Sequence, residues 1–137
     1  MKKLLCIFTL AFALTGCEKD GNSNKSDEFV GTYTGNLRVV TPNNVIQYET
    51  EIILGKNGFK VEKGFKSEGT FKVDGMFHFT DPNAGRQTFD VEYLLNGTYG
   101  YEIKGDSLIL TKDAHSREIK TSYLQYRLKR VGQFVQH

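Results

Sequence analysis

The sequence predicts an all-β protein, an antiparallel up-and-down meander closing into an eight-stranded barrel, with nine or ten strands as the alternative count. Three observations predict it. From Phe29 onward no stretch sustains a helical period, and apolar residues alternate with polar ones between glycine turns. The composition of 14 Gly, 2 Pro, 10 Phe and 7 Tyr agrees with strands and tight turns. Loops chosen by turn chemistry alone also place apolar residues on a common face in successive hairpins. A meander with one apolar face hides its edges by closing on itself. An open meander or a two-layer sandwich is the alternative architecture.

Residues 1–16 have a basic start, Lys2-Lys3, and an apolar run from Leu4 to Leu14, the shape of a secretory signal too short to span a bilayer. Leu14-Thr15-Gly16-Cys17 resembles the lipobox of bacterial lipoproteins, which implies cleavage before Cys17 and acylation of its sulfur. The implied location is the cell envelope, with an outer-membrane anchor and the barrel on the periplasmic side or the cell surface. Lys19-Asp20 is partly similar to the acidic export signals of surface lipoproteins of the Bacteroidetes group. Cys6 leaves with the signal and Cys17 carries lipid, so no disulfide forms within one chain. Loss of Lys2 and Lys3 leaves 16 basic against 16 acidic residues. A neutral chain gives no basic surface for nucleic acid, and the bilayer is held through acyl chains. Residues 17–28 lack a large apolar side chain and read as a tether. Residues 29–131 form the barrel domain, and 132–137 are a tail.

Strands are expected near 29–40, 44–54, 59–65, 68–72, 76–81, 87–94, 98–103, 108–113 and 119–131. A turn centred on Pro42-Asn43 sets Val39 against Ile46 and Leu37 against Tyr48. Centring the next on Asn57-Gly58 sets Leu54 against Val61 and Lys56 against Phe59. A three-residue loop Val73-Asp74-Gly75, with Gly75 at positive φ, sets Phe71 against Phe77 and Gly69 against Phe79. Leu95-Asn96-Gly97 as a loop sets Tyr93 against Tyr99, although a straight strand through it keeps the same parity. Gly105-Asp106 sets Ile103 against Leu108 and Tyr101 against Leu110.

The first strand carries Gly31-Thr32-Tyr33, similar to the Gly-x-Trp that opens lipocalin strands, and the last strand carries Tyr126-Arg127-Leu128-Lys129-Arg130. The pattern of 29–131 resembles the calycins, and among them the small lipocalin-like lipoproteins of Bacteroidetes, whose barrels end in a Gly-Asp hairpin. The resemblance implies an arginine packed over the first-strand ring. Arg130, sharing a face with Leu124, Tyr126 and Leu128, is the expected partner of Tyr33 rather than Arg127.

No catalytic constellation stands out, and the expectation is a protein that is not an enzyme and has no cofactor or metal. His78 is expected to face solvent opposite Thr70, His115 lies in a polar loop, and His137 is terminal. Asp81, Asp90, Glu92 and Arg86 are expected at a barrel end, as a charged mouth or a solvated rim. Tyr33, Tyr48, Tyr93, Tyr99, Tyr101 and Tyr126, with Lys63 as one inward charge, are the candidate lining of a small apolar or amphipathic ligand site. The alternative is a rim or outer wall that binds or inhibits an envelope protein. The protein is expected to be monomeric. Asp106-Ser107-Leu108 matches the short pattern of Bacteroidetes O-glycosylation, which makes Ser107 a candidate acceptor.

Overall fold

A computed structural model of the chain describes residues 25–86, 93–113 and 123–132. After a 3-10 turn at Lys25–Phe29 come eight strands: β1 (Gly31–Val40), β2 (Val45–Leu54), β3 (Phe59–Lys63), β4 (Glu68–Val73), β5 (Phe77–Thr80), β6 (Gly97–Lys104), β7 (Ser107–Asp113) and β8 (Tyr123–Gly132). Each pairs antiparallel with the next, and β8 returns to β1, so the barrel closes as an up-and-down meander. Closure leaves one face of every strand inward.

The two ends differ. The lower end carries the tight turns 55–58, 74–76 and 105–106, and it is entered by the 3-10 turn. Phe29 plugs it, 3% exposed, with its ring edge-on to Phe77 at 4.8 Å and to Tyr101 at 5.5 Å. Ser26 ties the plug to the wall by accepting a hydrogen bond from the Val73 backbone N–H. The upper end carries the β1–β2 turn, the 64–67 loop and the connection from β5 to β6. That connection begins with a second 3-10 turn, Ala84–Arg86, and ends in Leu94 and Leu95, both buried.

Between the plugs, aromatic rings fill the interior. Phe59 meets Phe79 at 5.1 Å, Phe79 meets Tyr99 at 5.6 Å, and Tyr99 meets Tyr126 at 5.9 Å, all edge-to-face. Such pairs add about 0.5–1.5 kcal/mol each beyond their buried area. Two glycines let the wall bend around this core. A Cβ on Gly35 would lie 1.9 Å from the Arg127 carbonyl oxygen, and one on Gly69 would lie 1.9 Å from that of Thr80. Both sites bring neighbouring backbone too close for any side chain.

Register follows the expected parity, with corrections of detail. Val39 faces Ile46, Leu37 faces Tyr48, Ile103 faces Leu108 and Tyr101 faces Leu110. At the second hairpin Leu54 faces Phe59 and Ile52 faces Val61, because Gly55 and Gly58 close the turn and Lys56-Asn57 form its tip. At the third, Val73 faces Phe77, and the loop is Asp74-Gly75-Met76 with Gly75 at φ +91°. His78 therefore faces Lys72 and not Thr70. Each correction moves the pairing by two residues, which preserves the buried face.

The expected hairpin at Leu95-Asn96-Gly97 is not formed. Tyr99 pairs with Phe77 on β5, and Tyr93 belongs to a turn rather than a strand. The strand expected near 87–94 lies for the most part outside the described residues, as do the tether residues before Lys25, with Cys17, and the region of His115.

Candidate functional site

Tyr33 and Arg130 are direct cross-strand partners on β1 and β8 at the lower end. The Arg130 guanidinium stands over the Tyr33 ring, 5.3 Å from its centroid. It also donates to the Tyr33 hydroxyl from Nε at 3.0 Å and from Nη2 at 2.6 Å, and from Nη2 to the Glu28 carbonyl at 2.8 Å. The hydroxyl in turn donates to the Phe29 carbonyl at 2.9 Å. One arginine thus stitches the chain entering the barrel to the strand leaving it. Arg127 is exposed on the outer wall and donates from Nε to the Gln125 side-chain oxygen.

Beside this network lies a cleft of about 370 Å³, lined by Phe29, Tyr33, Ile103, Ser107, Leu108 and Arg130. Ser107 opens β7 and is half-buried on its wall, next to Asp106.

The other candidate residues separate into two groups. Tyr99 and Tyr126, 0% and 2% exposed, are parts of the packed interior. Burial pushes both phenols well above their ordinary range. The Tyr126 hydroxyl donates to the Tyr93 carbonyl at 3.2 Å, whereas that of Tyr99 finds no hydrogen bond of good geometry. Tyr48, Tyr93 and Tyr101 are half-buried against the core. Tyr101 packs on the lower plug at Phe29.

Lys63 is not an inward charge. A register shift between Glu51 and Ile52 turns the end of β3, and Lys63 stands exposed in an ion pair with Glu49. The hydrogen bond between them holds the Glu49 carboxyl below, and the Lys63 ammonium above, its ordinary range.

Tyr48 and Tyr93 meet at the upper rim. Tyr48 and Phe65 are edge-to-face at 4.9 Å, and Phe65 and Tyr93 lie 5.1 Å apart. These rings sit where the β1–β2 hairpin rises past its neighbour. Among the described residues the β2–β3 ladder begins at Glu51, and Glu49 and Thr50 still reach Lys63 through the ion pair and the Thr50 hydroxyl on the Lys63 carbonyl, so residues 45–48 pair with β1 alone. Val45 and Ile46 on that stretch are 43% and 40% exposed. Ile46 faces the buried Val39, so it continues the inner apolar face beyond the barrel mouth.

Asp81, expected at a charged mouth, is instead a buried bracket of the upper plug, 7% exposed. It accepts from the Ser67 hydroxyl at 2.7 Å and from the Asn83 N–H at 2.8 Å, and its own N–H donates to the Asn96 side-chain oxygen at 2.9 Å. Arg86 is exposed, and Asp90 and Glu92 lie outside the described residues. Lys112 lies over the Tyr99 ring at 5.6 Å and donates to the Asn96 carbonyl at 2.8 Å, and partial burial lowers its pKa. Sequence reasoning missed this residue, although alternation along β7 puts Lys112 on the inward face of Leu108 and Leu110.

His78 stands on the outer wall, with Nδ1 3.0 Å from the Thr98 hydroxyl and Nε2 2.6 Å from Asp74. Among the described residues no three His, Cys, Asp or Glu side chains converge as a metal site, and no helix is long and apolar enough to cross a membrane. Family models, curated proteins and solved structures return no match to this chain.

Proposed function

We propose that this protein is a monomeric, non-catalytic envelope lipoprotein with a lipocalin-like barrel, anchored through acylated Cys17, that binds an extended segment of another envelope protein at its upper rim. The observation that carries this reading is the free start of β2. Among the described residues, 45–48 offer backbone N–H and C=O groups with no strand on the β3 side, beside the exposed Val45 and Ile46 and the Tyr48–Phe65 pair. Exposed edges invite an added strand, in which the backbone supplies affinity and alternate side-chain pockets supply specificity. The packed tyrosines of the interior favour a rim site over a central ligand cavity.

A photoreactive residue at position 46 tests it, with position 98 on the facing wall as control. A discrete adduct to an envelope protein is expected from 46 and not from 98. Identical adduct profiles from both sites, or none from either, would refute the reading.

A second reading, binding of a small amphipathic ligand, rests on the lower cleft, where an apolar floor meets Arg130. A medium-chain carboxylate should raise the melting temperature of the barrel, and Ile103→Asp should remove that shift. No shift in either protein counts against it.

A further inference from the structure

We propose that the lower end of the barrel docks on the surface of the bilayer that holds the Cys17 lipid, so that the upper rim points away from the membrane. The proposal rests on the reading of Cys17 as acylated. Eight residues lead from Cys17 to Lys25, where the 3-10 turn enters the lower end. At about 3.3–3.6 Å per residue they reach at most about 26–29 Å, so the lower end cannot lie further than that from the anchor.

That end carries the apolar surface a bilayer would cover. Among the described residues five large apolar side chains are exposed, and Met76, Ile103 and Val131, at 42%, 55% and 58%, belong to the lower end. Met76 is in the β4–β5 turn, Ile103 is at the end of β6, and Val131 is at the end of β8. None of the three belongs to the buried core. The cleft between Phe29, Ile103 and Leu108 adds apolar surface to the same end.

Lys104 and Lys129 stand beside Ile103 and Val131, each in a loose ion pair at 3.7 Å and largely exposed. Their long stems let the ammonium groups reach phosphate headgroups while the apolar neighbours go deeper. The other two exposed apolar residues, Val45 and Ile46, are at the end opposite the one the tether enters.

The test uses the acylated mature chain in vesicles of phosphatidylethanolamine and phosphatidylglycerol. Because Cys17 is blocked by lipid, Ile103→Cys and Ile46→Cys each present one thiol for a polarity-sensitive bimane label. Docking predicts quenching by shallow nitroxide lipids and a blue shift at position 103, several-fold stronger than at 46. Adding Met76→Asp and Val131→Asp should reduce the signal at 103, which mere tethering would not do. Equal quenching at both positions, or a signal at 103 insensitive to those substitutions, overturns docking while leaving the anchor in place. An intact mass showing Cys17 without lipid overturns both.

Discussion

The two ends of this barrel are built on opposite plans. At the lower end short turns join β2 to β3, β4 to β5 and β6 to β7, and Phe29 and the Tyr33–Arg130 network close what remains. At the upper end the described ends of the β5–β6 connection are bracketed by Asp81, Ser67 and Asn96, while the first residues of β2 stand without a partner strand on the β3 side among the described residues. The first plan closes the barrel with side chains and leaves isolated apolar residues outside the closure, and the second leaves an open strand edge for recognition. A substitution should therefore cost stability at one end and binding at the other.

The largest stability effect is expected at the core beneath the lower plug. Phe77 is fully buried, stacks near Phe79 at 5.5 Å and receives the edge of Phe29. Phe77→Ala should cost about 3–5 kcal/mol in denaturant unfolding. Phe65→Ala at the upper rim should cost only about 1–2 kcal/mol, since its ring is half-buried. Equal losses would erase the contrast between the ends.

The lower network comes next. Tyr33→Phe keeps the ring under Arg130 but removes the hydroxyl that accepts from the guanidinium and donates to Phe29. The expected loss is about 1–3 kcal/mol, and in a double-mutant cycle with Arg130→Met the two changes should be strongly non-additive. Additive losses would show that the arginine does not act through Tyr33.

The closed barrel and the parity of its hairpins were legible in the sequence, and the misses lie in what parity leaves open. Gly105-Asp106 fixed its hairpin because no neighbouring residue offers a competing turn. Around Asn57-Gly58 there are two glycines, Gly55 and Gly58, and parity cannot choose between turn centres that move the pairing by two residues. The same degeneracy hid the true role of Leu95-Asn96-Gly97, where strand parity survives either reading. Lys63 was misplaced because a bulge opposite Glu51 and Ile52 inverts alternation without any mark in composition. Ile46 and Ile103 alternate inward correctly yet are exposed, because strand ends overhang their neighbours and overhang depends on lengths set elsewhere in the sheet.

Buried phenols give a smaller, pH-dependent effect. Burial raises the pKa of Tyr99 and Tyr126 above the ordinary value near 10, so the folded chain keeps protons that the unfolded chain loses. Their contribution is complete below pH 10 and disappears as pH climbs above it. Lys112 acts with the opposite sign, since its lowered pKa makes stability rise with pH below 10.5. Tyr99→Phe should change stability at pH 7 by less than about 1 kcal/mol, because its hydroxyl lacks a well-formed hydrogen bond. The variant should lose less stability than the parent between pH 10 and 12, read by unfolding curves alongside phenolate absorbance. An identical alkaline loss would place the titrating group elsewhere.

The smallest stability effect is expected where the largest binding effect lies. Ile46 is already 40% exposed and has no β3 residue across from it, so Ile46→Asp should alter unfolding by no more than about 0.5 kcal/mol. A charge there would nevertheless have to be buried by any strand that adds to the edge, and desolvating an unpaired carboxylate opposes that strongly. The substitution should therefore abolish the envelope adduct of a photoreactive residue placed at position 45 while leaving the melting curve in place. If the adduct persists, the partner does not lie along this edge. If the protein unfolds instead, Ile46 belongs to the core and the upper rim is built on the same plan as the lower.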